Sequence, residues 1–260
     1  MNSLDAGGHR LEYKWLRPRG PRAQSDATPV LVFLHEGLGS VALWKEFPQL
    51  VVAATGCSAL VYSRYGYGKS DRLMQPRAVD YLHTEALEAL PELLDALSIR
   101  DPILIGHSDG ASISIIYAGS GRWRVRGLVL MAPHVFVEDA AVASIAKAKA
   151  AFEATDLAAR MGRHHDDVVG AFRGWNDIWL HPDFRAWNIE SYLSGITAPV
   201  LVIQGEDDQY GTMAQIEAVE RQVGGPAQTV ILTSCAHSPH VDRTQDTLAA
   251  IRAFVDLARA

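Results

Sequence analysis

The 260-residue sequence predicts an α/β fold, a mostly parallel sheet with helices on both of its faces. Three observations lead there. Short runs rich in β-branched residues are apolar at every position, which suits strands covered on both sides. Segments of helical length, with leucine and alanine at three- and four-residue spacing, lie between those runs. The alternation breaks once, between Pro133 and Ala198, where no strand-like run occurs.

In chain order, Leu11–Leu16 alternates weakly and is expected as an antiparallel edge strand. The loop Arg17–Thr28 (RPRGPRAQSDAT) is rich in Pro, Gly and polar residues and is the expected mobile element. The apolar runs are Pro29–His35 (PVLVFLH), Ser58–Tyr62 (SALVY), Pro102–Gly106 (PILIG), Val125–Met131 (VRGLVLM), Pro199–Gln204 (PVLVIQ) and Gln228–Leu232 (QTVIL). Helices are expected over Val79–Leu97, Ala111–Ala118, Thr212–Val223 and Thr244–Ala258, with Pro91 kinking or dividing the first. The segment 134–197 reads as a helical insertion. Its first half is alanine-rich, a matter of helix propensity. Its second half gathers Phe172, Trp175, Trp179, Phe184, Trp187 and Tyr192. In such a sheet, ligand sites lie beyond the carboxyl ends of the strands.

A content of 48% hydrophobic and 21% charged residues fits an ordinary globular protein. A chain of this length buries roughly 70–75% of its unfolded surface. The net charge of −6, with no Lys/Arg cluster, predicts neither a nucleic-acid partner nor an anionic membrane. The start, MNSLDAGGHRLEYKWLRPRG, has no apolar core of a leader, and no run approaches the roughly 18 apolar residues of a membrane span. A cytoplasmic location is expected, with Cys57 and Cys235 as reduced, buried, inert thiols.

Gly106-His107-Ser108-Asp109-Gly110 fits G-x-S-x-G and stands between an apolar strand and a helix. A nucleophile on so sharp a turn has a strained backbone that lifts its oxygen clear of the sheet. Side chains two positions away would collide, hence the glycines. The helix that follows aims its N-terminal dipole at the reacting centre. Serine is also a common N-cap, but the strand and helix around Ser108 favour a nucleophile. An acid and a histidine should follow in that order. Strand Pro199–Gln204 runs into Gly205-Glu206-Asp207-Asp208, and strand Gln228–Leu232 is followed by Ser234-Cys235-Ala236-His237. Both groups fall after strand ends, on the face where Ser108 emerges. His237 can then take the serine proton while the acid holds its imidazole.

On the residues FLHEGLGS (33–40), SRYGYGKSD (63–71), GHSDG (106–110), QGEDD (204–208) and CAHSPH (235–240), the chain resembles the α/β-hydrolase superfamily over essentially its full length. The resemblance implies an eight-stranded, mostly parallel sheet with a helical cap after the sixth strand. The core would be residues 1–133 and 198–260, and the cap 134–197. It implies Asp208 as the acid, with Asp207 as the neighbouring alternative and Glu138 or Asp139 a further location. It implies His237 as the base, with His240 competing; Ala236 stands where relatives commonly have glycine. His237 and His240 have no second pair of ligands beside them, so no metal is expected, and no other cofactor. His164-His165-Asp166-Asp167 reads as a solvated helix start.

The same resemblance implies an oxyanion hole formed by the N–H groups of Asp109 and Gly37, with Leu38 as alternative to the latter. Glu36 departs from the family's glycine at its position. It is either paired, with Arg64 as candidate, or an exposed loop residue. The Asp109 side chain raises a sharper problem, because two unit charges about 4 Å apart interact by roughly 4 kcal/mol at a dielectric near 20. Three readings avoid opposition to an oxyanion. Asp109 turns away into the helix start, or a basic residue pairs with it, or it faces the pocket and meets a substrate cation. The S-D-G elbow is similar to that of the valacyclovir hydrolases, which act on α-amino-acid esters and bind the amino group with this aspartate. Most of the aromatics in the insertion are expected to pack its core, with Trp175 and Trp179 as candidates to line a pocket over Ser108.

The implied activity is a serine hydrolase acting on a small or medium carboxylic ester, lactone, thioester or amide, with an amino-acyl preference under the third reading of Asp109. Cleavage of a carbon–carbon bond in a dienoic ring-fission product is the nearest rival. A non-catalytic small-molecule receptor on the same fold is the reading from another class. Either way the expected partner is a small molecule. The oligomeric state is left open.

Overall fold

The computed structural model describes residues 2–18 and 28–259, so most of the Arg17–Thr28 loop lies outside the described residues. Eight strands form one sheet: β1 (Asn2–Ala6), β2 (His9–Leu16), β3 (Leu31–Leu34), β4 (Ala59–Tyr62), β5 (Ile103–His107), β6 (Gly127–Met131), β7 (Val200–Gly205) and β8 (Ala227–Leu232). Their spatial order is β1-β2-β4-β3-β5-β6-β7-β8. The pairs β1–β2 and β2–β4 are antiparallel and the remainder parallel. One expectation is corrected here. The stretch containing Leu11–Leu16 is antiparallel but is not the edge, because β1 covers it. The Asn2–Ala6 strand is half-exposed and polar, which hid it in the sequence. A turn at Gly7 and Gly8, with φ of 61° and 73°, folds it back.

Ten helices follow in chain order among the described residues. They are α1 (Phe47–Thr55), α2 (Tyr81–Thr84), α3 (Leu90–Ala96), α4 (Asp109–Gly119), α5 (Asp139–Ala154), α6 (Leu157–Met161), α7 (Val168–Trp179), α8 (Met213–Gln222), α9 (Pro239–Asp242) and α10 (Thr244–Arg259). Strand residues alternate between two apolar layers, the period-2 consequence of the pleat. Leu31, Phe33, Ile103 and Ile105 pack with Val51 and Val52 of α1 and with Ile251 and Phe254 of α10. Val32, Leu34 and Leu104 pack with Leu93 of α3, Ile113 and Ile116 of α4 and Val219 of α8. Burial of each such side chain contributes about 1.5–3 kcal/mol, and β3 to β7 are buried throughout.

Pro91 divides its helix, as expected of a residue whose ring meets the carbonyl four positions back. The chain answers with a wide π turn over Glu85–Ala89 between α2 and α3. This leaves Pro91 in the first turn of α3, where a missing N–H costs little. Between β6 and β7 the chain is helical: α5, α6 and α7, then 3₁₀ turns at Pro182–Ala186 and Glu190–Gly195. An isolated antiparallel bridge between Phe136 and Asn188 closes the stem of this helical insertion, the segment expected as a cap. Among the described residues no helix is long and apolar enough to cross a membrane. Cys57 and Cys235 are free and buried.

Candidate active site

The turn from β5 to α4 sets Ser108 at φ 53° and ψ −117°. A non-glycine residue holds such a backbone only when its surroundings enforce it. The two glycines are required sterically. A Cβ on Gly106 would lie 2.4 Å from the Gly110 carbonyl oxygen, and one on Gly110 would lie 2.1 Å from that of Leu34. Ser108 occupies the N-cap position of α4, yet its hydroxyl makes no capping hydrogen bond. The capping alternative is therefore not what the geometry shows.

Asp208 follows β7 and His237 follows β8, so both reach the carboxyl edge of the sheet with Ser108. His237 Nδ1 lies 2.9 and 2.8 Å from the two Asp208 carboxylate oxygens. Asp208 also accepts from Tyr210 N (2.8 Å), Gly211 N (3.3 Å) and Gln204 Nε2 (2.9 Å). Burial pushes its carboxyl up, but the hydrogen bond and charge of His237 outweigh this and hold it below the usual range. Asp207 is exposed, and the carboxylate that bonds the imidazole is that of Asp208. Glu138 accepts from Thr212 N (2.9 Å) and Gln215 Nε2 (2.8 Å), tying the cap to α8, and Asp139 pairs with Arg185. His240 is buried against Trp44 and Phe47, with ring centroids 4.9 and 5.4 Å away, and burial drives its pKa down to about 3.

Ser108 and His237 line one cavity of about 150 Å³, together with Glu36, Gly37, Leu38, His134, Ala141, Ile145, Trp175, Trp179 and Tyr210. Trp175 and Trp179 are thus among the residues lining this cavity. The Trp175 indole lies on Gly37, where a Cβ would meet it at 2.2 Å. Phe172 instead stacks on Phe152 at 3.9 Å and Phe184 on Trp187 at 5.4 Å, packing the cap.

The Asp109 side chain is fully buried and absent from the cavity lining. Its Oδ2 lies 3.4 Å from Arg64 Nη2 and accepts from the Tyr81 hydroxyl at 2.8 Å. Trp179 Nε1 donates to that hydroxyl in turn at 3.0 Å. The carboxylate is thus paired with a basic residue, the second of the three readings, and is not among the cavity-lining groups that a substrate cation would meet. Arg64 meets Glu36 only through the backbone, donating from Nη2 to its carbonyl at 2.9 Å. The Glu36 carboxylate faces His107, with Oε2 3.7 Å from Nδ1. Burial pushes that carboxyl up, but the neighbouring His107 imidazole outweighs this and holds it well below the usual range.

Four residues at or behind this cavity were not assigned from the sequence. Tyr210 packs its ring 4.8 Å from His237. His134 lies 5.6 Å from His237 between rings, and burial drives its pKa down to about 3. His107 Nε2 lies 2.7 Å from the His237 carbonyl. His165, expected in a solvated segment, is buried: its Nδ1 accepts from Gly68 N at 3.0 Å and its Nε2 donates to the Leu38 carbonyl at 2.9 Å. It thereby ties the cap to the loop after β3. Asp167 does start a helix, accepting from Gly170 N as N-cap of α7. Position in the chain gave the only available hints: Tyr210 stands two residues after Asp208, and His134 three after the end of β6.

Residues 31–251 match the model of the alpha/beta hydrolase family. The chain is 30% identical over 104 residues to a putative carbamate hydrolase RutD of Azorhizobium caulinodans, a stretch that is 40% of this chain and 37% of that protein. It is 32% identical over 125 residues to a proline iminopeptidase of Saccharolobus solfataricus, 47% of this chain and 37% of that one. The matched stretches thus span little more than a third of the length of these curated relatives. Among solved structures, the enol-lactonase of Burkholderia xenovorans superposes with a TM-score of 0.76 at 19% identity, covering 98% of this chain and 100% of that one. A proline iminopeptidase of Mycobacterium smegmatis gives 0.74 at 18%, covering 99% and 98%. At such identities these likenesses speak for the fold. Together with the family match over most of its length, they show that the chain belongs to the alpha/beta hydrolase family.

Proposed function

We propose that the chain is a serine hydrolase that cleaves a small carboxylic ester, or a lactone, thioester or amide of similar size, through an acyl-enzyme on Ser108. The observation that carries this is the meeting of a strained, uncapped Ser108 with a His237 imidazole held by both oxygens of Asp208, in one cavity. Ser108 Oγ attacks the carbonyl carbon as His237 Nε2 takes its proton, and Asp208 stabilises the resulting imidazolium. The oxyanion rests on the N–H groups of Gly37 and Asp109. The imidazolium protonates the leaving alcohol, His237 then activates water, and attack on the acyl-enzyme returns Ser108 and releases the acid. No metal or organic cofactor takes part in this sequence. The two free, buried cysteines suit a reducing compartment such as the cytoplasm.

A cavity of about 150 Å³ takes a guest about the size of benzene. Away from Glu36 and the Ser108, His134 and His237 side its walls are apolar and aromatic, so the group it accepts is short or a single ring. Wild type and Ser108→Ala are to be assayed on a panel of short-chain esters, lactones, amino-acid esters and ring-fission dienones, with fluorophosphonate labelling. Ester hydrolysis lost in Ser108→Ala, with the label on Ser108, is the expected result. Turnover of the dienones alone would assign the carbon–carbon bond reaction. No label and no turnover on any substrate would leave the fold as a small-molecule receptor.

A further inference from the structure

The two N–H groups given the oxyanion in the proposed mechanism stand on different elements, Gly37 after β3 and Asp109 at the start of α4. One side chain reaches both elements. Arg64 Nη2 donates to the Glu36 carbonyl at 2.9 Å and lies 3.4 Å from Asp109 Oδ2. The Glu36 carbonyl belongs to the same peptide unit as the Gly37 N–H. In a trans peptide the C=O and N–H point in opposite directions. Whatever holds the Glu36 oxygen therefore aims the Gly37 N–H. Three donors hold it: Arg64 Nη2, His35 Nδ1 at 2.7 Å and Gly39 N at 3.1 Å. One of them is charged, and a charge-assisted bond at the carbonyl polarises the N–H on the far side of the unit.

Arg64 is itself held. Its backbone N–H donates to His35 Nε2 at 3.0 Å. This puts the His35 proton on Nδ1, the atom that donates to Glu36 O. Burial, with the neighbouring Arg64 charge, lowers the His35 pKa, so the neutral tautomer persists. The guanidinium lies 4.8 Å from the Tyr67 ring centroid and is fully buried. Among the described residues neither the Gly37 nor the Asp109 N–H meets a protein acceptor, so both donors are free to serve.

We propose, on the reading of Ser108 as nucleophile, that Arg64 is the positioning residue of the oxyanion hole. From behind, one guanidinium sets the Glu36–Gly37 peptide and anchors the Asp109 carboxylate, so that the two N–H groups converge. It also offsets the negative charge that Asp109 would otherwise place beside an oxyanion.

The test compares wild type with Arg64→Lys, Arg64→Met and the double variant Arg64→Met/Asp109→Asn on a short nitrophenyl ester. The double variant leaves no buried charge without its partner, which protects the fold. Lysine keeps the charge but offers one point in place of a fork. In Arg64→Met and the double variant, kcat should fall about 100-fold, the scale of losing one oxyanion donor, with KM nearly unchanged. Arg64→Lys should fall less, again in kcat. Affinity for a boronic acid that forms a tetrahedral adduct on Ser108 should fall in parallel. A purely structural role would instead lower the unfolding temperature and leave the boronate affinity of the folded fraction intact. Wild-type kcat and boronate affinity in any folded variant overturn the proposal; in the double variant that result would reduce Arg64 to neutralising Asp109. A wild type that neither turns over esters nor takes a fluorophosphonate on Ser108 would sink the proposed function itself, which separates the two failures.

Discussion

Asp109 shows how one side chain carries two separate questions. Its backbone is placed by the helix start, while its carboxylate is placed by Arg64 and Tyr81, away from the cavity. Asp109→Asn should therefore lower kcat/KM on amino-acid esters and on neutral esters of the same shape by the same factor, leaving their ratio unchanged. A selective loss on the amino esters would return this carboxylate to the substrate. Ser108, Asp208 and His237 could be singled out in the sequence because the proposed roles require each to sit at a strand's carboxyl end, in a fixed order, with glycines where a Cβ would collide. The alternatives Asp207 and His240 were separable only in three dimensions. The surroundings of Arg64, His134 and His165 were illegible for the same reason. His165 acts on Leu38 and Gly68, and nothing local to HHDD announces a contact across so long a stretch of chain.

The elements were legible where they are apolar and obscure where they are not. The runs that became β3 to β7 are buried throughout and read directly. Residues Asn2–Ala6 pair only with β2 and carry a mixed, exposed pattern, so they gave no strand signal. The helical insertion between β6 and β7 was visible as a break in alternation, but which of its faces lies over Ser108 was not. That depends on α5 and α7 packing together, which brings Ile145 and Trp175 over the same cavity. Its volume then limits the substrate. Acetyl and propionyl esters should be turned over faster than hexanoyl esters, and Trp175→Ala should raise the hexanoyl-to-acetyl ratio of kcat/KM by about tenfold, since a single methylene in an apolar pocket is worth that much or more. An unchanged ratio would place the acyl chain elsewhere than under α7.

The whole molecule carries an acid sensitivity that no single element shows. His35, His134, His165 and His240 are all buried, and burial lowers the pKa of each, to about 3 for His134 and His240. In the folded chain burial opposes their protonation, whereas in the unfolded chain each takes a proton near pH 6.5. Below that pH the unfolded state binds more protons, so stability falls with falling pH, and for His134 and His240 the loss continues toward pH 3. At pH 5 each of these two contributes a loss of about 2 kcal/mol. The depressed carboxyls of Glu36 and Asp208 act at lower pH and cannot produce an onset near 6.5. Global charge works in the opposite sense, because the net charge of −6 at pH 7 diminishes toward a pI near 5.9 and relieves repulsion. Urea unfolding midpoints measured at pH 7, 6 and 5 should therefore decline. His240→Phe, whose ring suits the aromatic wall of Trp44 and Phe47, should make that decline shallower. An equally steep decline in the variant would mean that His240 does not enter the folded state as a neutral, buried imidazole.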